Sequence, residues 1–204
     1  PGCYDPFKPR NTTCVPEPGY PTNLTDSVGD RLMHRLAYRV LGGNEYLAVS
    51  HTVEEDSTTA RTGIRFYKIQ AGSTPTIVVQ SGSTTTPDVQ DTTNGTFYIV
   101  PSVSMDNNGD LGITFASSGT AVNPSPYFVT TDTNGVLGTP LNICSGTGGC
   151  SATGEDESDA HWGPMVSTTT DPDDDLTFWG SDEYFSTNQA GCCTWQTRIF
   201  NGVQ

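Results

Sequence analysis

Positive charge is scarce in this chain: nine Lys and Arg among 204 residues, against 23 Asp and Glu, for a net charge of −14. The shortage is local. Residues 1–68 hold eight bases and eight acids, whereas residues 69–204 hold fifteen acids and a single base, Arg198. So acidic a surface repels phosphate backbones and anionic lipid, which excludes nucleic acid as a partner. Long apolar runs are also missing, which excludes a transmembrane helix and membrane insertion of that kind. Charged residues of both signs reach only 16%, against about a quarter in ordinary domains, and Ser and Thr take the polar positions. There is no Gly-x-Ser-x-Gly elbow, and His34, His51 and His161 lie in no hydrolase motif. Initiator Met and signal peptide are lacking too, so the chain, opening at Pro1, reads as a processed or partial piece of something longer.

What is present points to a folded, exported, β-rich protein. Eight Phe, eight Tyr and three Trp argue against disorder. Six cysteines suggest an oxidising compartment, with Cys3 near Cys14, Cys144 near Cys150, and Cys192 beside Cys193. Short turn-rich loops favour closing Cys3 with Cys14 and Cys144 with Cys150. The adjacent pair stays open between a strained vicinal bridge and bonds made elsewhere. The spacings are not those of thiolate zinc knuckles. Sequons at Asn11, Asn23 and Asn94 are candidate glycosylation sites. The expected location is extracellular or at the cell surface.

Residues 1–29, rich in Pro, Gly, Asn and Thr, read as an irregular, disulfide-tied lead-in. Residues 30–204 read as one all-β domain. Residues 31–41 are ambiguous. A helix would align Arg31, Arg35 and Arg39 as one stripe, and a strand sets them against Leu32, Leu36, Tyr38 and Val40 on the other face. The Gly42-Gly43-Asn44 turn, followed by Tyr46–Val53, favours a hairpin. Short strands then recur between turn signals: 62–69, 76–80, 96–100, 101–105, 111–116, 126–130, 163–168, 176–179, 183–185 and 194–200. That pattern means a sandwich, barrel or propeller. A weak repeat favours propeller-like antiparallel blades, with a β-sandwich as the alternative. Pro101–Phe115 and Pro164–Trp179 both read strand, acidic turn, Leu-x-(x)-Phe strand, and residues 32–53 share the plan.

The segments Asp30–Arg39, Glu45–Val53, Gly63–Tyr67, Ser102–Gly109 and Asp171–Trp179 resemble a family of secreted, mostly bacterial proteins of unknown function. That family is predicted to form sialidase-like β-propellers. The likeness runs from about Cys3 to Phe200 and includes Thr13–Gly19. It implies a partial propeller, since family members carry a further N-terminal stretch of propeller absent from these 204 residues. Where the family usually has Arg-Trp-Gly-Asp, this chain has His161-Trp-Gly-Pro164.

Candidate chemistry is sparse. A sialidase-like hydrolase would need clustered arginines for a sugar carboxylate, drawn from Arg31, Arg35, Arg39, Arg61, Arg65 and Arg198, with Glu183 and Tyr184 as a nucleophile pair. Adjacent strand residues point to opposite faces, so Glu183 and Tyr184 make a poor pair. Calcium is the more plausible ligand, and the one cofactor expected. Asp171, Asp173 and Asp175, with Asp174, form the densest oxygen cluster. Asp106, Asn108 and Asp110 alternate as hard-cation ligands do, and Glu155–Asp159 is a third acidic run. Acidic hairpin turns are the competing explanation. Trp162, Trp179 and Trp195 suit a core or a sugar platform. No catalytic residue is assigned. The expected role is a non-catalytic structural or adhesive module, such as a subunit of a surface appendage or filament. Its expected partners are other copies of itself, a missing segment of the same protein, or glycans. The alternative is a sialidase-like glycoside hydrolase or glycan-binding fragment. Peptide mapping without reductant is expected to find Cys3 joined to Cys14 and Cys144 joined to Cys150. Free thiols at those four positions would contradict the oxidising compartment.

Overall fold

The computed structural model describes residues 13–18, 20–29, 31–56, 61–92, 95–144, 162, 165–185 and 195–202. All thirteen regular elements among them are strands. β1 (Thr13–Glu17) and β2 (Tyr20–Asp26) form a two-stranded sheet. A first four-stranded sheet follows, from β3 (Ala37–Leu41), β4 (Asn44–Asp56), β5 (Arg61–Gln70) and β6 (Thr76–Gln80). The middle sheet comprises β7 (Thr96–Met105), β8 (Leu111–Gly119), β9 (Val122–Thr131) and the two-residue β10 (Leu141–Asn142). The third comprises β11 (Ser167–Thr170), β12 (Phe178–Phe185) and β13 (Trp195–Gly202). Each of these three is an antiparallel up-and-down meander, the connectivity of a propeller blade, and none closes into a barrel. The all-β architecture is as expected, and the arrangement fits a partial propeller or a layered sandwich.

Position in the stack follows from side-chain alternation in β8. Leu111, Ile113 and Phe115 point one way, into a core shared with Ile64 and Phe66 of the first sheet. Gly112 and Thr114 point the other way, against Phe178 and Thr168 of the third sheet. Every residue of β7 and β8 is consequently buried. At Gly112 the approach is so close that a Cβ would stand 2.5 Å from the Phe178 ring. Phe178 completes the contact by packing on Phe128, which also meets Phe200 edge-on. The Thr168 hydroxyl donates to the Ser102 carbonyl, and the Thr168 amide to the Ser102 hydroxyl, so polar groups buried between sheets are paired.

Three sequence expectations are corrected. The segment read as irregular contains the β1–β2 hairpin. Pro16 and Pro21, which cannot donate to a ladder, are tolerated because this sheet has only two strands and two register shifts. The strand expected from Arg31 begins only at Ala37. The runs 96–100 and 101–105 form one strand, because a bulge between Ile99 and Ser102 absorbs Pro101. Val100 there has φ +47°, costly for a β-branched residue, but it is fully buried and its amide donates to the Thr52 hydroxyl at 3.1 Å. The repeat noted in the sequence is the β7–β8 and β11–β12 hairpins, which open their sheets as β3–β4 opens the first.

Cys14 and Cys144 are each engaged in a disulfide. Cys3, Cys150, Cys192, Cys193, Asn11 and Asn94 lie outside the described residues, as does the side chain of Asn23 on β2.

The Gly112–Phe178 contact yields a double-mutant test. Phe178→Ala is expected to cost about 3–5 kcal/mol and Gly112→Ala about 1–3 kcal/mol in urea unfolding. The pair together should cost less than the sum, because the added methyl enters the space the ring leaves. Strict additivity would show that the two sheets do not meet there.

Candidate functional site

The acidic turns cluster where the three sheets meet. In the β7–β8 turn, Asp106 Oδ1 accepts from the amides of Asn108, Gly109 and Asp110 at 2.8–2.9 Å. Gly109 takes φ +91°, which suits a residue without Cβ. Lys68 of β5 donates to the Gly109 carbonyl at 2.8 Å and lies over the Tyr46 ring. Burial lowers the Lys68 pKa, and Asp110 and Asp106 oppose that shift. In the β11–β12 turn, Asp171 Oδ1 accepts from the Asp173 amide, and Asp174 Oδ1 from the amides of Leu176 and Thr177. These bonds, the Thr177 hydroxyl's first, hold the Asp174 pKa below its ordinary value. The Asp175 carbonyl accepts from the Asn107 amide at 2.8 Å, and its carboxylate pairs with Arg39 at 3.0 Å. One turn of the third sheet thus fastens to the middle sheet and to the first.

This geometry bears on the calcium expectation. Asp171 Oδ2 accepts from the Trp179 indole at 2.8 Å, Asp175 faces Arg39, and Asp173 is exposed. Asp171 and Asp175 therefore turn to different partners, and Asp173 turns to solvent. No three His, Cys, Asp or Glu side chains among the described residues gather as a metal set. Asp106 and Asp174 act as turn braces. The run 155–159 lies outside the described residues.

A second titratable cluster lies on the face of the first sheet turned away from the middle one. Arg65 donates through Nε and Nη2 to the buried carboxylate of Asp88, the shorter bond being 2.6 Å. The Ser81 hydroxyl donates to Asp88 at 2.5 Å and accepts from the Phe66 amide. Together these bonds hold the 81–92 segment on the sheet, helped by the antiparallel bridge of Val89 to Ile64. Glu55 completes the cluster. Burial, then a hydrogen bond to Asp88 and its charge, push the Glu55 pKa up to about 8. Burial and the neighbouring Asp88 charge thus favour the protonated form of Glu55 beside an ionised Asp88. Beside them His51 stacks on Tyr67 and meets its hydroxyl at 3.2 Å. Burial and Arg65 lower the His51 pKa.

The arginine pocket that a sialidase-like hydrolase would need does not form among the described residues. Arg39 and Arg65 are held by separate aspartates, and Arg61 donates to the Asp91 carbonyl. Arg198 lies on β13 in the third sheet, opposite Asp182. Arg31 and Arg35 are exposed ahead of β3. The Tyr184 hydroxyl donates to Gln196 at 2.6 Å, across the strand pair from β13. Trp162 is core, and Trp179 is 38% exposed on the outward face of the third sheet. His161 and the Trp195 side chain are not among the described residues.

Two features escaped sequence reasoning. The Glu55–Asp88 pair joins residues 33 positions apart, which no local pattern signals. The other is an apolar row across the outward face of the first sheet. Tyr38 stands opposite Leu47, Leu47 opposite Ile69, and Ile69 opposite Ile77. Tyr38 and Ile77 are 57% and 53% exposed. The signal for it was the alternation in β3, where Tyr38 and Val40 face away from Arg39.

No family model matches the chain, and no curated protein does. Among solved structures, it is similar to a crystal structure of an unknown-function protein from Dyadobacter fermentans DSM 18053, at 12% identity and TM-score 0.45. The match covers 83% of this chain and 38% of that one.

The carboxyl pair sets a pH dependence. The pKa of Glu55 rises from 4.5 to about 8 on folding. The unfolded chain therefore releases its proton first, and this contribution to stability falls as pH rises from about 4.5 to about 8. Glu55→Gln, neutral and still able to donate to Asp88, is expected to flatten that decline in melting temperature and to out-melt the parent above pH 8. An unchanged pH profile would mean that Glu55 is ionised when folded.

Proposed function

We propose that this chain is a non-catalytic structural or adhesive β module of the cell exterior, working through its sheet faces rather than through a reaction centre. The observation that carries this reading is the outward row Tyr38, Leu47, Ile69 and Ile77. The middle sheet, covered on both sides, is how a sheet of this stack looks when its neighbours are in place. The first sheet has apolar residues on both faces, and among the described residues a neighbouring sheet packs on only one of them. An apolar row rimmed by polar residues is the mark of an interaction surface. The separate pairing of Arg39 and Arg65 supports the same reading, since a carboxylate-binding pocket needs arginines free to converge. Glycan binding at exposed aromatics such as Trp179 belongs to the adhesive form of this reading.

A panel of fluorogenic glycosides, sialosides included, tests it against the hydrolase alternative. The expected result is no turnover above that of Arg65→Ala and Arg198→Ala controls. Turnover that either substitution abolishes would replace this reading with the enzymatic one.

A further inference from the structure

The β1–β2 hairpin packs on the middle sheet at the end of β8 away from the acidic turns. Residues 14–17 are all buried there. Val15 enters a core with Ile99, Ala116 and Trp162, and the Pro16 carbonyl accepts from the Ser118 hydroxyl at 2.8 Å. Glu17 is buried beside them, at 7% exposure. A carboxylate this far from water ordinarily has a cation or several donors. The Glu17 carboxyl accepts one hydrogen bond, from the Thr25 hydroxyl of β2 at 3.0 Å. The middle sheet presents to it Ile99 of β7, Ala116, Ser117 and Ser118 of β8 and Pro124 of β9, and Trp162 closes the remaining side. None of these carries a charge. The hydroxyls of Ser117 and Ser118 are committed to the carbonyls of Ser125 and Pro16. Asp26, the neighbouring acid on β2, turns its carboxylate to the Val28 amide at 2.8 Å. The gap left around Glu17 does not admit a water molecule.

We propose that the protonated carboxyl of Glu17 latches the β1–β2 hairpin onto the middle sheet, and that its ionisation loosens the latch and uncovers the apolar surface around Ile99, Ala116 and Trp162. The neutral carboxyl fits this dry site with its single hydroxyl donor, whereas the carboxylate would lie there with neither water nor a cation. The hairpin is suited to letting go. It has two strands with two register shifts, and a two-stranded ribbon keeps its place by packing rather than by its own ladder. Burial raises the Glu17 pKa from 4.5 to about 7, with the Thr25 bond opposing. The raised value belongs to the docked state, so docking is strongest below about pH 4.5, where the carboxyl is protonated docked or free. As pH rises the freed hairpin gives up its proton first, and docking weakens until the docked carboxyl has ionised too, at about pH 7.

Hydrogen exchange on the whole oxidised chain tests the latch, with the β8 amides as internal reference and circular dichroism as the folding control. Relative to β8, protection of the β1 and β2 amides is expected to fall by up to about tenfold per pH unit between about 4.5 and about 7, and to level off above that. Glu17→Gln, which cannot ionise, is expected to keep the hairpin's protection level across the same range. Should that variant fail to dock, Glu17→Met, also neutral and of similar length, replaces it. Thr25→Val removes the one bond that favours the carboxylate, so the levelling is expected to move to higher pH. Three results overturn the proposal: hairpin protection in the parent that tracks β8 at every pH, a fall that survives in both neutral variants, and a Thr25→Val hairpin that loses protection equally at every pH. The readout is local to the hairpin and taken against β8, so titration of Glu55 on the first sheet does not enter it.

Discussion

The covering of the middle sheet on both faces is the constraint on which the rest depends. A sheet covered on one side can alternate apolar and polar residues. One covered on both must give each side its own chemistry. β8 does this by sending Leu111, Ile113 and Phe115 to the first sheet, and Gly112 and Thr114 to the third. The first contact is thick and apolar. The second is thin, with Phe178 lying on a glycine and hydroxyls bonding across. Large side chains on both faces would hold the third sheet too far out for the Thr168 and Ser102 bonds to form.

The acidic turns follow from that stacking. With the sheets held face to face, their hairpin turns emerge at one place, and each aspartate can brace its own turn or reach a neighbour. Asp106 and Asp174 brace, whereas Asp175 reaches Arg39 and offers its carbonyl to Asn107. An exposed ion pair such as Arg39–Asp175 contributes little by itself, about 0–1 kcal/mol. Its value lies in fixing the relation between the first and third sheets. The same carboxylates that suggest a cation in the sequence are here spent on backbone amides and one guanidinium.

Burial also accounts for the cluster around Asp88. A carboxylate removed from water must be paired, and Arg65 and Ser81 pair it. Glu55, whose neighbouring guanidinium is already committed to Asp88, is pushed by burial and by the Asp88 charge toward its protonated form. The result fastens the 81–92 segment beside the apolar row, at the margin of the first sheet's outward face.

Strand content, the repeated hairpin and the acidic bias of residues 69–204 were legible in the residues alone, because turn formers, β-branched residues and charge act locally or by simple addition. The β1–β2 hairpin was not, since Pro16 and Pro21 argue against a strand until the sheet is known to have only two members. Calcium-like spacing at Asp171, Asp173 and Asp175 was legible too, but spacing does not say which way a carboxylate turns, and Trp179 and Arg39 decide that from other strands. Which aspartate each arginine meets, which carboxyl is pushed toward its protonated form and which sheet faces which depend on contacts between residues tens to more than a hundred positions apart. Those contacts exist only once the sheets have stacked. Sequence by itself determined the elements and their chemistry, and the tertiary structure decided their neighbours, because burial and pairing are properties of the packed chain.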